Sequence, residues 1–531
     1  MVKLFNAYIF VCLSFNTISQ DYLNRFEEID VLNYSISIDL NDSNNVIQVS
    51  EIISISFLKS VSSFYLDLVD QDADQKGMKI SQLLENGKAI NFTHSKSILT
   101  IEPKDIKVNK ITDYTIVYSG IPKDGLVIGK NKYGDRTFFG DNWPTRARNW
   151  IASVDHPSDK ATVLWQVEVP NQYKVVANGK LIEETKSSKN RIKVTYKENI
   201  EIPTKVMVIG VAQFEVEQAG NIYEIPISSW VYPQNKTIGF HDYALATNVF
   251  KFFVDHFGEY SYEKLANVQS TTRFGGMENA SCIFYDENSI NGKRDCETLL
   301  AHEIAHQWFG NACTEMDWSH LWLSEGFATY CTNLYIEEIK GKSAFEKQLE
   351  EDRNKVIRFS KLNKVPVIDT ISQNLMSLLN ANSYQKGAWI LHMLRRKIGD
   401  DLFYKGIRSY YDIYRFSNAT SDDFIKVMEL TSGLDLSLFF DQWLRKVGHP
   451  KLSIKTKSSK KELQIQIKQV QDKEVIFNCP LEIKYIYSDD TFEIKTVEVT
   501  QLNQSFSFPI SKKIKSIIID PNVNLLFEEV K

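Results

Sequence analysis

The hydrophobic pattern of this chain changes period twice, and that change constrains its fold more than any other feature. From Val31 to about Ala219 polar and apolar residues alternate, as in Tyr34–Leu40, Val163–Val169 and Ile192–Tyr196. A period of two over many short segments predicts half-buried antiparallel strands. Between roughly His241 and Lys446 the spacing turns helical: Ile390, Leu391 and Leu394 are followed by Arg395-Arg396-Lys397 and then by Gly399, an apolar face closed by a basic last turn and a stop. Past Gly448-His449-Pro450 alternation returns in Leu452–Lys455, Leu463–Ile467 and Ser505–Phe508, which predicts a small all-β module of about 80 residues. The expected fold class is therefore multidomain α+β: an N-terminal antiparallel β domain, a mainly helical domain and a C-terminal β-sandwich.

The sequence narrows the class of function by exclusion first. With 62 Lys+Arg against 67 Asp+Glu the net charge is -5, so there is no basic excess to hold a nucleic acid through its phosphates. Six cysteines, none in a CxxC pair, argue against a redox motif or a cysteine-based zinc knuckle. A cationic start at Met1 to Lys3, an apolar run from Leu4 to Phe15 and small residues at Thr17 and Ser19 form the layout of a cleavable secretory signal over residues 1–19. The expectation is a secreted or periplasmic protein without a stable membrane span, because that run is 12 residues long and a bilayer needs about 20.

The positive signal lies in Thr298–Gly310, where His302-Glu303-Ile304-Ala305-His306 forms H-E-x-x-H on a segment free of Pro and Gly until its end. On a helix, positions i and i+4 share a face, so both imidazoles can converge on one cation. A catalytic zinc takes three protein ligands and keeps its fourth position open. The third candidate is Glu325, separated from His306 by eighteen intervening residues, in Leu321–Tyr330. Ser324 is a plausible N-cap, which would place Glu325 in the first turn of the next helix. The apolar flank formed by Leu299, Leu300, Ala301, Ile304, Ala305, Trp308 and Phe309 implies deep burial, where imidazole and carboxylate need a partner such as a divalent cation. Glu303 points about 100° round the helix from His302, the position of a general base rather than a ligand.

These residues resemble the gluzincin peptidases, and further segments resemble one branch of them, the M1 family of zinc aminopeptidases. Gly275-Gly276-Met277-Glu278-Asn279 matches that family's G-x-M-E-N motif, and Trp322–Ala328 is similar to its W-L-N-E-G-F-A, with Ser324 in place of the usual Asn. Ser383-Tyr384-Gln385-Lys386-Gly387 resembles the segment carrying the family's catalytic tyrosine. The resemblance implies a saddle-like N-terminal β domain over residues 20–220, a thermolysin-like catalytic domain over 221–446 and the β module over 447–531. It implies one zinc held by His302, His306 and Glu325, with Glu303 as general base and Tyr384 as hydrogen-bond donor to the tetrahedral oxyanion. Gly275, Gly276, Met277, Glu278 and Asn279 would bind substrate, Glu278 holding the α-ammonium of a peptide with a free N-terminus. The implied activity is removal of the first residue from oligopeptides.

Two points depart from the family. Its members often carry a second amine anchor, a Gln or Glu, where this chain has Gly140-Asp141-Asn142-Trp143. Trp143 falls at that place, and Asp141, Asn142 or an indole face are the possible substitutes. The chain also ends with the β module, without the C-terminal helical superdomain of the largest members, which implies a more open substrate channel. Two other functions share these motifs: a catalytically weak protein of the same fold that captures peptide N-termini, and an epoxide hydrolase-like activity.

Overall fold

The protein is described by a computed structural model over residues 25–472 and 475–531; the expected leader at residues 1–19 lies outside the described residues. The α+β architecture has a β-rich N-terminal part, a helical part and a pair of C-terminal sheets. The N-terminal part is built on an eight-stranded sheet whose central strands are Lys160–Pro170, Ile29–Asp39, Ile47–Phe57 and Ile111–Ile121. Their burial alternates residue by residue as the period of two requires. The expectation of an antiparallel domain needs one correction. Ile29–Asp39 pairs in parallel with Lys160–Pro170, Asn33 opposite Thr162 through Asp39 opposite Glu168, so the sheet is mixed. Alternation reports which face of a strand is buried and is blind to the direction of its neighbour.

The second region contains a feature that the helical spacing does not reveal, a five-stranded sheet ordered Glu215–Ile222, Ile225–Val231, Leu265–Ser270, Cys282–Asp286 and Gly276–Met277. The middle three strands run parallel, and the short Gly276–Met277 strand closes the edge antiparallel to Cys282–Asp286. The expected division at residue 220 runs through the first of these strands. Against this sheet pack the helices Ala246–Phe257 and Glu297–Ala305; Trp322–Lys340 packs on Glu297–Ala305, and Gly387–Ile398 packs on Trp322–Lys340. Gly387–Ile398 ends as the sequence predicts, on basic residues before Gly399 at φ 86°.

Two sheets of four and three strands form the C-terminal β-sandwich. Its core is continuous with that of the helices, and Arg353 reaches from helix Lys342–Leu362 to Asp520 at 2.5 Å. A separate cluster of Phe139, Trp143, Val176, Val208, Met277 and Trp318 joins the N-terminal part to the five-stranded sheet. Buried polar ties cross the same junction. Lys160 Nζ donates to the carbonyls of Asn311, Ala312 and Ser417, and Lys205 pairs with Glu315 at 2.5 Å. The five cysteines among the described residues are buried and unpaired. No helix among the described residues is long and apolar enough to cross a membrane.

Candidate metal centre and active-site cleft

The H-E-x-x-H segment occupies the end of helix Glu297–Ala305, with His306 as its C-cap still in helical dihedrals. The predicted convergence is present: His302 Nε2 lies 3.2 Å from His306 Nε2. Glu325 Oε2 completes the triangle at 3.3 Å from each nitrogen. His306 Nδ1 faces the Phe309 carbonyl at 3.1 Å, and a carbonyl can only accept, so Nδ1 carries the proton and Nε2 presents its lone pair to the centre. Glu325 Oε2 is buried with no hydrogen-bond donor in place. Three acceptors aimed at one point require a cation. A tetrahedral site with bonds of about 2.0–2.1 Å has edges of about 3.3–3.4 Å, so the donor set fits zinc in both chemistry and spacing.

Glu325 sits in the first turn of helix Trp322–Lys340, but the helix starts earlier than expected. Leu321 is its N-cap, and Ser324, three residues in, turns its hydroxyl to His306 Nδ1 at 3.1 Å instead of capping. Helices Trp322–Lys340 and Gly387–Ile398 touch backbone to backbone at two glycines, where a Cβ on Gly326 would lie 2.8 Å from Gly387 Cα. That approach brings the π-helical turn Asn382–Lys386, and with it Tyr384, over the centre. The Tyr384 ring stacks on His302 with centroids 6.0 Å apart and planes 12° apart. Burial, reinforced by the charge and hydrogen bond of Glu325, raises its hydroxyl well above the usual range, so it stays a donor.

Glu303 is buried beside the histidines. Burial drives its carboxyl well above the ordinary value; His306 opposes this, while the charges of Glu278 and Glu325 add to it. Glu278, Glu303 and His306 also come within 4.8 Å of one another, but that set is one imidazole among mutually repelling carboxylates. The triangle of His302, His306 and Glu325 is the better cage.

The Gly-Gly-Met-Glu-Asn segment divides between two roles. Gly276, Met277 and Glu278 line the cleft together with Trp143, Phe274, Leu379 and Tyr384; Gly275 and Asn279 are not part of its lining, and Asn279 is buried behind it. A Cβ on Gly276 would lie 2.5 Å from Glu303 Cδ, so a side chain there would displace the Glu303 carboxylate. Two residues outside the expected site hold the segment. Gln307 Nε2 and Asn311 Nδ2 donate to the Glu278 carbonyl at 2.8 and 2.6 Å, and Gln307 Oε1 accepts from Ser281 N at 2.9 Å. Their signal in the sequence is two amides in an otherwise apolar stretch directly after the metal motif.

The substitutes considered for a second amine anchor also separate. Asp141 is bound to Arg146. Asn142 donates to the Thr204 and Met207 carbonyls and accepts from Trp150 Nε1. Of the three, Trp143 alone lines the cleft, braced edge-on by Phe274 at 6.2 Å and Trp318 at 5.6 Å.

Residues 31–206 match the Peptidase M1 N-terminal domain and residues 242–443 match the Peptidase family M1 domain. The chain belongs to peptidase family M1. Among its relatives, Probable aminopeptidase 2 of Sulfurisphaera tokodaii is 28% identical over 469 residues, covering 84% of this chain and 58% of the relative. Human Glutamyl aminopeptidase is 30% identical over 330 residues, covering 59% of this chain and 34% of the relative. The chain thus spans less than two thirds of the length of these relatives. The crystal structure of an M1 zinc metallopeptidase from Deinococcus radiodurans superposes with a TM-score of 0.67 at 22% identity, over 78% of this chain and 93% of that one.

Proposed function

We propose that the protein is a zinc-dependent aminopeptidase that removes the first residue from peptides with a free N-terminus. The observation that carries this reading is the closed triangle of His302, His306 and Glu325 with Glu303, Glu278 and Tyr384 lining the same cleft. The names of its aminopeptidase relatives support it. Zinc, when bound, would lower the pKa of a water and polarise the scissile carbonyl.

The chain's own residues do the rest. Glu303, lining the cleft beside His302 and His306, takes a proton from the attacking water and passes it to the departing amine. Tyr384 donates its hydroxyl hydrogen to the developing oxyanion without competing for the cation. Glu278, held by Gln307 and Asn311, pairs with the substrate ammonium and fixes its distance from the reacting carbonyl. Secretion, which rests on residues 1–19, is part of the same proposal. The test is Glu303→Gln: the variant should keep one zinc per chain and lose turnover of aminoacyl-anilides. Retained turnover would refute the assignment of the base.

A further inference from the structure

Building on the aminopeptidase reading, we infer that the cleft accepts a neutral, apolar side chain on the first residue and excludes an acidic one. The placement follows from covalent geometry. With the ammonium at Glu278 and the scissile carbonyl at the His302–His306–Glu325 centre, the Cα between them must direct its side chain to the remaining wall of the cleft. That wall is Trp143, Phe274, Met277 and Leu379. Met277 and Trp143 are fixed in one buried cluster with Phe274 and Leu379 packed on it, so this wall is apolar and held in place.

Charge reinforces shape. Among the described residues lining the cleft there is no Lys or Arg, while three carboxylates, Glu278, Glu303 and Glu325, already stand in it. The cations around the wall are committed elsewhere. Arg146 bonds Asp141 and Asp124, Arg273 bonds Asp124 at 3.2 Å, and Lys205 is paired with Glu315. A carboxylate on the first side chain would be desolvated against an indole with no partner and with like charges nearby, whereas an aliphatic side chain would exchange water for matched contact. The chain would thereby differ from relatives named Glutamyl aminopeptidase with which it shares 30% identity.

The experiment compares Leu-, Met-, Glu- and Asp-aminomethylcoumarin on the zinc-loaded protein, alongside the thermal shift produced by leucine hydroxamate and glutamic acid α-hydroxamate. The expected kcat/KM for Leu and Met exceeds that for Glu and Asp by roughly 100-fold or more, with a larger shift from leucine hydroxamate. Cleavage of Glu within about 10-fold of Leu would overturn the inference. Absence of cleavage of all four would defeat the aminopeptidase reading, and the hydroxamate ranking would still decide the pocket: a larger shift from leucine hydroxamate sustains the inference, equal or reversed shifts overturn it. Leu379→Arg, at a half-buried position, should narrow the Leu/Glu ratio about 10-fold; an unchanged ratio would remove Leu379 from the wall and overturn it.

Discussion

Gly276→Ala adds a single methyl group, and the structure specifies what that group displaces. Its Cβ would lie 2.5 Å from Glu303 Cδ, 2.6 Å from Cγ and closer still to Oε1, where ordinary contact begins at 3.4 Å, so the carboxylate must retreat by at least 0.9 Å. The strand cannot retreat instead: Gly276 is paired with Tyr285, and Gln307 and Asn311 hold the carbonyl of Glu278 two residues on. A misplacement of about 1 Å in a reacting group costs about 100-fold, or roughly 2.7 kcal/mol of barrier. The metal ligands are untouched and position 276 is not in the left-handed region. Zinc content and Tm should therefore match the parent while kcat for Leu-aminomethylcoumarin falls about 100-fold. Metal analysis, thermal unfolding and steady-state kinetics on one preparation measure all three. A kcat within about 3-fold of the parent would show that the cleft absorbs the methyl group and that Glu303 is not positioned by contact with this strand.

Other substitutions separate binding from chemistry and folding. Glu278→Ala should raise KM and lower kcat together, since the carboxylate both holds and aligns the amine; an unchanged KM would place the amine elsewhere. Tyr384→Phe should lower kcat by about 100- to 1,000-fold with little change in KM; near-parental kcat would remove the hydroxyl from the oxyanion. Far from the cleft, Glu51 is buried, and burial pushes its carboxyl up to about 8 against hydrogen bonds from Tyr118 OH and Ala152 N. The folded state keeps a proton that the unfolded chain releases near 4.5. That contribution to stability is full in acid and is lost as pH rises toward 8. The slope is roughly 1.4 kcal/mol per pH unit at its steepest, and Glu51→Gln should flatten it between pH 5 and 8 in denaturant titrations. Identical slopes in parent and variant would refute this.

The parts of the site that a local rule places were legible in the sequence. His302 and His306 meet because four residues on a helix return to one face, and Glu325 joins them because the next helix begins at the right remove. Legibility failed wherever the deciding partner is distant in the chain. The strands Leu265–Ser270 and Cys282–Asp286 are buried almost throughout, so they lack the alternation that marks a half-exposed strand. Ser324 reads as a cap because capping residues are small and hydroxylated, yet the helix begins three residues earlier and its hydroxyl serves His306. The roles of Trp143, Phe274 and Leu379 depend on three segments meeting at one wall, which no periodicity encodes.

The central claim is that a free α-ammonium, anchored opposite the His302–His306–Glu325 centre, defines the substrate. The most direct measurement sets Leu-aminomethylcoumarin against its N-acetylated form on zinc-loaded protein. The free amine should be cleaved and the acetylated form should be inert at the same concentrations; equal rates for the two would contradict the assignment.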